Sequence, residues 1–173
     1  GALMADPDVT SVSEDGIIFP MLVDSVNLIR ATNAWSEGFR GNGQTVAVLD
    51  TGVGTSHPFF AGKVVAEACF SDPVVGATSL CPNGQPQQIG AGAGTNCPDV
   101  AIGCWHGTHV AGIAVGNTGY LSASSGGRAP GANVMPIQVF QRECYSGSCQ
   151  LVAYYSEIMQ GLEYVYSLRT NYS

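Results

Sequence analysis

The chain has 173 residues, of which 45% are hydrophobic and only 11% charged, enough apolar material for one core and too little charge for a disordered tail. Thirteen acidic residues face six basic ones, and Arg30, Arg40, Lys63, Arg128, Arg142 and Arg169 lie far apart, so no basic stripe invites nucleic acid or an anionic membrane surface. The longest apolar run, Ile17 to Val23, is broken by Pro20 and falls far short of the roughly 20 residues that cross a bilayer.

In chain order, the first segment alternates apolar and polar residues after Pro7 (Val9, Val12), runs into Ile17-Ile18-Phe19 and stops at Pro20, which predicts a short strand and a linker. Asp24 can cap a helix carrying Leu28, Ile29, Trp35 and Phe39, ended by Gly41-Asn42-Gly43. "QTVAVLD", Gln44 to Asp50, is a β-branched apolar run between glycine-containing segments, the pattern of a parallel strand buried on both faces. "KVVAEACF" (63–70) and "NVMPIQVF" (133–140) are further strand candidates, with Pro136 placing the second at an edge or a bulge. Between them, Ser71 to Gly103 is rich in Gly and Pro and reads as a surface insertion tied by sulfur.

"HVAGIAVGN" has helical spacing, a Gly116-Asn117 stop, and small residues Ala111, Gly112 and Ala114 that permit close approach to a sheet. Leu151, Tyr155, Ile158, Met159, Leu162, Val165 and Tyr166 recur at three and four and predict an amphipathic helix. Strands alternating with helices imply an α/β layered fold around a mostly parallel sheet.

Cys69, Cys81, Cys97, Cys104, Cys144 and Cys149 form an even set with no C-x-x-C pair, standing mostly among Gly, Pro, Asn and Ser. That pattern reads as disulfides made in an oxidising compartment rather than as a zinc site. Among the many connectivities open to six cysteines, only the local pair Cys144–Cys149 is favoured. The opening "GALM" has neither a charged leader nor a starting Met, so any export signal is expected upstream of it.

In a parallel sheet, catalytic groups gather beyond the carboxyl ends of the strands, where Asp50 stands. Alone, Asp50 reads as a helix or turn cap. His106 and His109 are three apart and share a helix face, and either alone reads as a capping or packed imidazole. A zinc peptidase needs histidines four apart with a Glu between them, whereas Gly107 and Thr108 separate these two, so no metal site is expected.

The combination is more specific than its parts. "VAVLDTGV" (46–53) resembles the aspartate motif of the subtilases, the subtilisin-like serine peptidases, and "HGTHVAGI" (106–113) resembles their histidine motif. "GGRAPGANV" (126–134) and "GLEYV" (161–165) resemble the flanking segments, and the likeness runs from about Val26 to the C-terminus. The resemblance implies a three-layer α/β fold with a mostly parallel central sheet, subtilisin-like and incomplete in this chain. It implies Asp50 as the carboxylate of an Asp-His-Ser triad, His106 as the general base and His109 as structural. Residues 1–22 resemble the end of an inhibitory propeptide, or else form an N-terminal extension; residues 23–173 correspond to the N-terminal half of the peptidase domain, with a Cys-rich insertion at about 71–104. "CYSGSCQ" resembles in position the edge segment that pairs with substrate, through Ser146, Gly147 and Ser148, and reads equally as a Gly/Ser turn closed by sulfur.

Three departures qualify these expectations. The nucleophile motif and the oxyanion Asn belong further downstream, "GTS" at Gly54 to Ser56 continues into His57-Pro58, and neither Ser146 nor Ser148 sits on a strand-to-helix elbow. The chain alone is therefore expected to be inactive and to need the C-terminal half of the peptidase as its partner. Phe59 stands where relatives place an Asp for a structural calcium, which puts that site in question, and no cofactor is required for catalysis. The segment between Asp50 and His106 is longer than in the simplest relatives and reads as a stability or specificity device. The expected substrate is polypeptide and the expected location extracellular. Two competing readings are a non-catalytic subtilase-like module that binds peptides or a partner chain, and a metal-binding protein using His57, His106, His109 and an acid.

Overall fold

The computed structural model describes residues 17–18, 31–74, 76–98, 103–117 and 126–172. The Asp24 cap and most of the N-terminal segment lie outside these. Eight strands and three helices are defined: β1 Ile17–Ile18, α1 Ala31–Ser36, β2 Thr45–Asp50, β3 Ala68–Phe70, β4 Ala77–Ser79, β5 Gln87–Ile89, α2 His106–Val115, β6 Asn133–Gln138, β7 Gln141–Tyr145, β8 Ser148–Tyr154 and α3 Tyr155–Ser167.

The main sheet has the order β2-β6-β3-β5, with β2 and β3 parallel to β6 and β5 antiparallel to β3. Alternate residues of β2 feed two apolar clusters. Val46 and Val48 pack with Ala111, Val115 and Val134, while Ala47 and Leu49 pack with Met135, Ile137 and Ile158. The first cluster joins the sheet to α2 and the second joins it to α3, giving the expected three layers. The run "VAVL" is continuous because both faces are covered, as a central parallel strand requires.

Small residues set how closely each helix approaches. Ala111 of α2 is fully buried against the sheet. A Cβ on Gly161 of α3 would lie 3.0 Å from Leu49 and 3.2 Å from Ile137, so glycine lets that helix rest on the strands. The glycine also decides which face of α3 turns inward. Tyr155, Met159, Leu162 and Tyr166, four of the seven residues of the expected apolar stripe, are exposed, and Leu151 belongs to β8, where it is buried. The helix starts only after Tyr154, whose amide donates to Glu157 Oε2 at 2.8 Å.

Pro136 lies in the interior strand β6, opposite Val48. Its missing N–H costs nothing because the ladder to the β3 chain is broken there. Val64 bridges Val134 and Ala68 pairs with Ile137, so four residue steps face three, which is a one-residue bulge. The strand expected over 63–70 is accordingly reduced to Ala68–Phe70. Lys63 is buried beside this break, and its ammonium donates to Pro130 O at 2.6 Å and Ala132 O at 2.9 Å. Burial lowers its pKa.

Two other expectations change. Phe39 is 71% exposed, because α1 ends at Ser36, while Trp35 within the helix is buried with its indole donating to Arg128 O. The insertion is more than a loop: β5 extends the main sheet, and β4 joins a second, antiparallel sheet of order β1-β8-β7-β4. Cys69–Cys81 and Cys97–Cys104 close this insertion, and Cys144–Cys149 crosses the β7–β8 hairpin as the spacing suggested.

Candidate active site

Asp50 is the last residue of β2 and His106 the first of α2, so the parallel topology delivers the carboxylate and the imidazole to the same end of the sheet. His106 Nδ1 lies 2.8 Å from Asp50 Oδ1 and 2.9 Å from Oδ2. Both residues are buried, at 8% exposure for Asp50 and 7% for His106. A carboxylate only accepts hydrogen bonds, so Nδ1 is the donor and the ring is held in one tautomer.

The pair is fixed by its neighbours. Thr51 N donates to Asp50 Oδ1 at 2.7 Å, and the amide of Gly107 donates to Thr51 Oγ1 at 2.9 Å. Thr51 Oγ1 donates in turn to Cys104 O at 3.2 Å, while Thr51 O accepts from Cys97 N at 3.1 Å. The two cysteines that grip Thr51 are themselves joined by the Cys97–Cys104 bridge. One buried hydroxyl therefore ties the aspartate turn to the first turn of α2. No role for Thr51 is read from the sequence; the signal that could have found it is a hydroxyl placed directly after the motif carboxylate and before a glycine.

Two glycines make room for this approach. A Cβ on Gly107 would fall 2.3 Å from Gly52 O and 3.0 Å from Asp50 Oδ1. Gly52 adopts φ +86°, and a Cβ there would meet Thr95 O at 2.2 Å.

The other sequence candidates lie elsewhere. His109 is exposed and its ring sits 4.8 Å from that of Trp105. With His57 it lines an apolar cavity of about 380 Å³, which His106 does not line. Phe59 also lines it, and packs so closely on α2 that a Cβ on Gly116 would lie 2.8 Å from its ring. Ser146 and Gly147 form the two-residue turn of the β7–β8 hairpin, both at positive φ (49° and 83°), and Ser148 opens β8.

Comparison with known proteins fits this geometry. A profile of the subtilase family matches residues 41–168. The chain is 29% identical over 143 residues to the major intracellular serine protease of Bacillus subtilis, covering 83% of this chain and 36% of that protein. It is 35% identical over 111 residues to thermitase of Thermoactinomyces vulgaris (64% and 31% of the two chains). To an extracellular protease of Xanthomonas campestris pv. campestris it is 32% identical over 161 residues, covering 79% and 26%. The chain thus spans about a third of the length of the curated relatives it matches. With the family profile covering most of the chain, and the aspartate and histidine motifs meeting at the end of a parallel sheet, the chain belongs to the subtilase family.

Proposed function

We propose that this chain supplies the carboxylate and the general base of a serine endopeptidase, Asp50 and His106, and that the nucleophilic serine comes from sequence outside residues 1–173. The observation that carries this reading is the buried contact of His106 Nδ1 with both oxygens of Asp50. With Nδ1 held as donor, Nε2 takes the serine hydroxyl proton as the serine oxygen bonds to the scissile carbonyl carbon. The imidazolium, stabilised by Asp50, returns that proton to the departing amine as the C–N bond breaks. Water then repeats the sequence, releasing the acid and restoring the serine. These groups transfer the proton and the acyl chain without a metal.

The polypeptide substrate would add as an antiparallel strand to β8. The chain's own Ile17–Ile18 supports this, pairing with Tyr154 and Ala153 at the end of β8 opposite to Ser148. Ile17–Ile18 would then act as an internal occupant of that edge. The remainder of the peptidase would cover β2, an outer strand whose apolar sequence suits a sheet interior, and the adjoining cavity lined by Ala47, Met135, Leu162 and Val165. Three disulfides, with no free cysteine among the described residues, favour an oxidising and hence extracellular location.

The test uses the full-length protein. It should hydrolyse casein, react with a serine-directed phosphonate and lose activity on His106→Ala, while residues 1–173 alone should do none of these. Hydrolysis by the isolated chain that the phosphonate blocks would overturn the assignment of the serine.

A further inference from the structure

Arg142 is a guanidinium in want of an anion. It lies in β7 between Thr78 of β4 and Leu151 of β8, and its Nε is buried without a hydrogen-bond partner. The chain is acidic, with a formal net charge of −7, and several of its other cations are engaged. Lys63 holds two carbonyls, Arg40 lies 5.4 Å from the centre of the Trp35 ring, and Arg169 lies 3.8 Å from that of Tyr166. Arg142 instead lines a cavity of about 400 Å³ with Thr78, Ser79, Thr95 and Asn96. Beside these hydroxyl and amide groups the lining includes Leu80, Cys81, Pro82 and Pro98, and among the described residues it holds no carboxylate. An arginine with a desolvated nitrogen and polar neighbours suits the planar, bidentate geometry of a carboxylate.

The cavity is built into the frame of the Asp50–His106 pair. Its wall at Thr95 and Asn96 continues into Cys97, whose amide donates to Thr51 O and whose sulfur is bonded to Cys104, two residues before His106. Asn96 N also donates to Val53 O at 3.2 Å. One wall of the cavity and the proton-handling pair therefore share a single disulfide-tied frame. The opposite wall belongs to the sheet that contains β8, the strand proposed to pair with substrate and already paired at one end by Ile17–Ile18.

We propose that this cavity is a specificity subsite that receives a carboxylate side chain, glutamate or aspartate, of the polypeptide substrate, with Arg142 as the residue that binds it. The proposal rests on the peptidase reading above. Its test is a set of fluorogenic peptides in which Glu and its neutral isostere Gln are exchanged at each position in turn, offered to the full-length protein. One position should show kcat/KM about tenfold higher for Glu than for Gln, the size of a charge-assisted hydrogen bond. In Arg142→Gln that ratio should fall to about one, and Arg142→Lys should retain part of it, since an ammonium keeps the charge without the fork. The ratio is taken within one preparation, so loss of folded enzyme lowers both rates and leaves the ratio unmoved. Cleavage by the parent with no Glu preference anywhere, or a preference that survives in Arg142→Gln, removes the subsite and leaves the peptidase reading standing. Failure to cleave any peptide removes both.

Discussion

The amide of Gly107 and the hydroxyl of Thr51 meet at 2.9 Å, and this one contact spans the two motifs that bring Asp50 and His106 together. The backbone of α2 comes so near the aspartate turn that position 107 has no room for a side chain. Replacing Gly107 with Ala forces a methyl to within 2.3 Å of Gly52 O, a backbone atom that cannot swing aside. We expect Gly107→Ala to lower the stability of the full-length protein by about 2–3 kcal/mol, as overpacking does, and to lower kcat by more than that loss alone explains. Thermal melting and steady-state kinetics on one preparation check it. An alanine variant with parent kcat would show that the helix start can retreat without disturbing the pair.

Asp50→Asn separates orientation from charge. The side-chain amide can donate to His106 Nδ1 and so favour the tautomer with its proton on Nε2, the wrong nitrogen for a base. We expect kcat to fall by about 10⁴, with KM little changed and the melting temperature near the parent's, since the two side chains are nearly isosteric. A fall of tenfold or less would mean that Asp50 does not direct the proton.

The parts of this site that the sequence announced were those governed by short-range rules. "TVAVLD" had to be a strand covered on both faces because no polar residue interrupts it, and Asp50 ends it for the same reason. His106 opens α2 because a glycine-bracketed run of small residues follows. What stayed hidden depended on partners distant in sequence. Pro136 announced an edge or a bulge and the bulge is there, but that the extra residue lies in the neighbouring chain near Val64 depends on pairing that the sequence does not display. The inward face of α3 is chosen by Gly161 against Leu49 and Ile137, a contact that apolar periodicity alone cannot weigh, so Tyr155 and Met159 were assigned to the wrong side. The strands of the insertion, β4 and β5, are three residues each and weakly apolar, and they exist because β7 and β3 offer edges to pair with.

The Cys97–Cys104 bridge should matter more to rate than the Cys144–Cys149 bridge. Both close small loops, each constraining the unfolded chain by an amount on the order of 2–3 kcal/mol. Cys144 and Cys149, however, are already paired across the β7–β8 ladder, whereas Cys97 and Cys104 grip Thr51 from two separate segments. The double replacement Cys97→Ala/Cys104→Ala should therefore lower both melting temperature and kcat. Cys144→Ala/Cys149→Ala should lower the melting temperature with kcat within about twofold of the parent, since additivity holds for sites that share no partner. Equal losses of kcat in the two variants would contradict the positioning role given to the first bridge.

Tyr154 joins β8 to α3 and gives a pH signature at the alkaline end. Its hydroxyl donates to Glu143 Oε1 at 2.7 Å, and this bond, followed by burial and the nearby negative charge, pushes its pKa up to about 12 from an ordinary 10. The folded state thus holds the phenolic proton more tightly than the unfolded chain does. Stability from this group is fully present below pH 10 and drains away as pH rises toward 12. Tyr154→Phe keeps the ring and removes the bond, so the gap in denaturation midpoint between parent and variant should be constant up to about pH 9 and close between pH 10 and 12. Phenolate absorbance near 295 nm, compared between the two proteins, should assign the latest-titrating tyrosine to position 154. A gap that persists unchanged to pH 12 would mean that the Glu143 contact does not carry the shift.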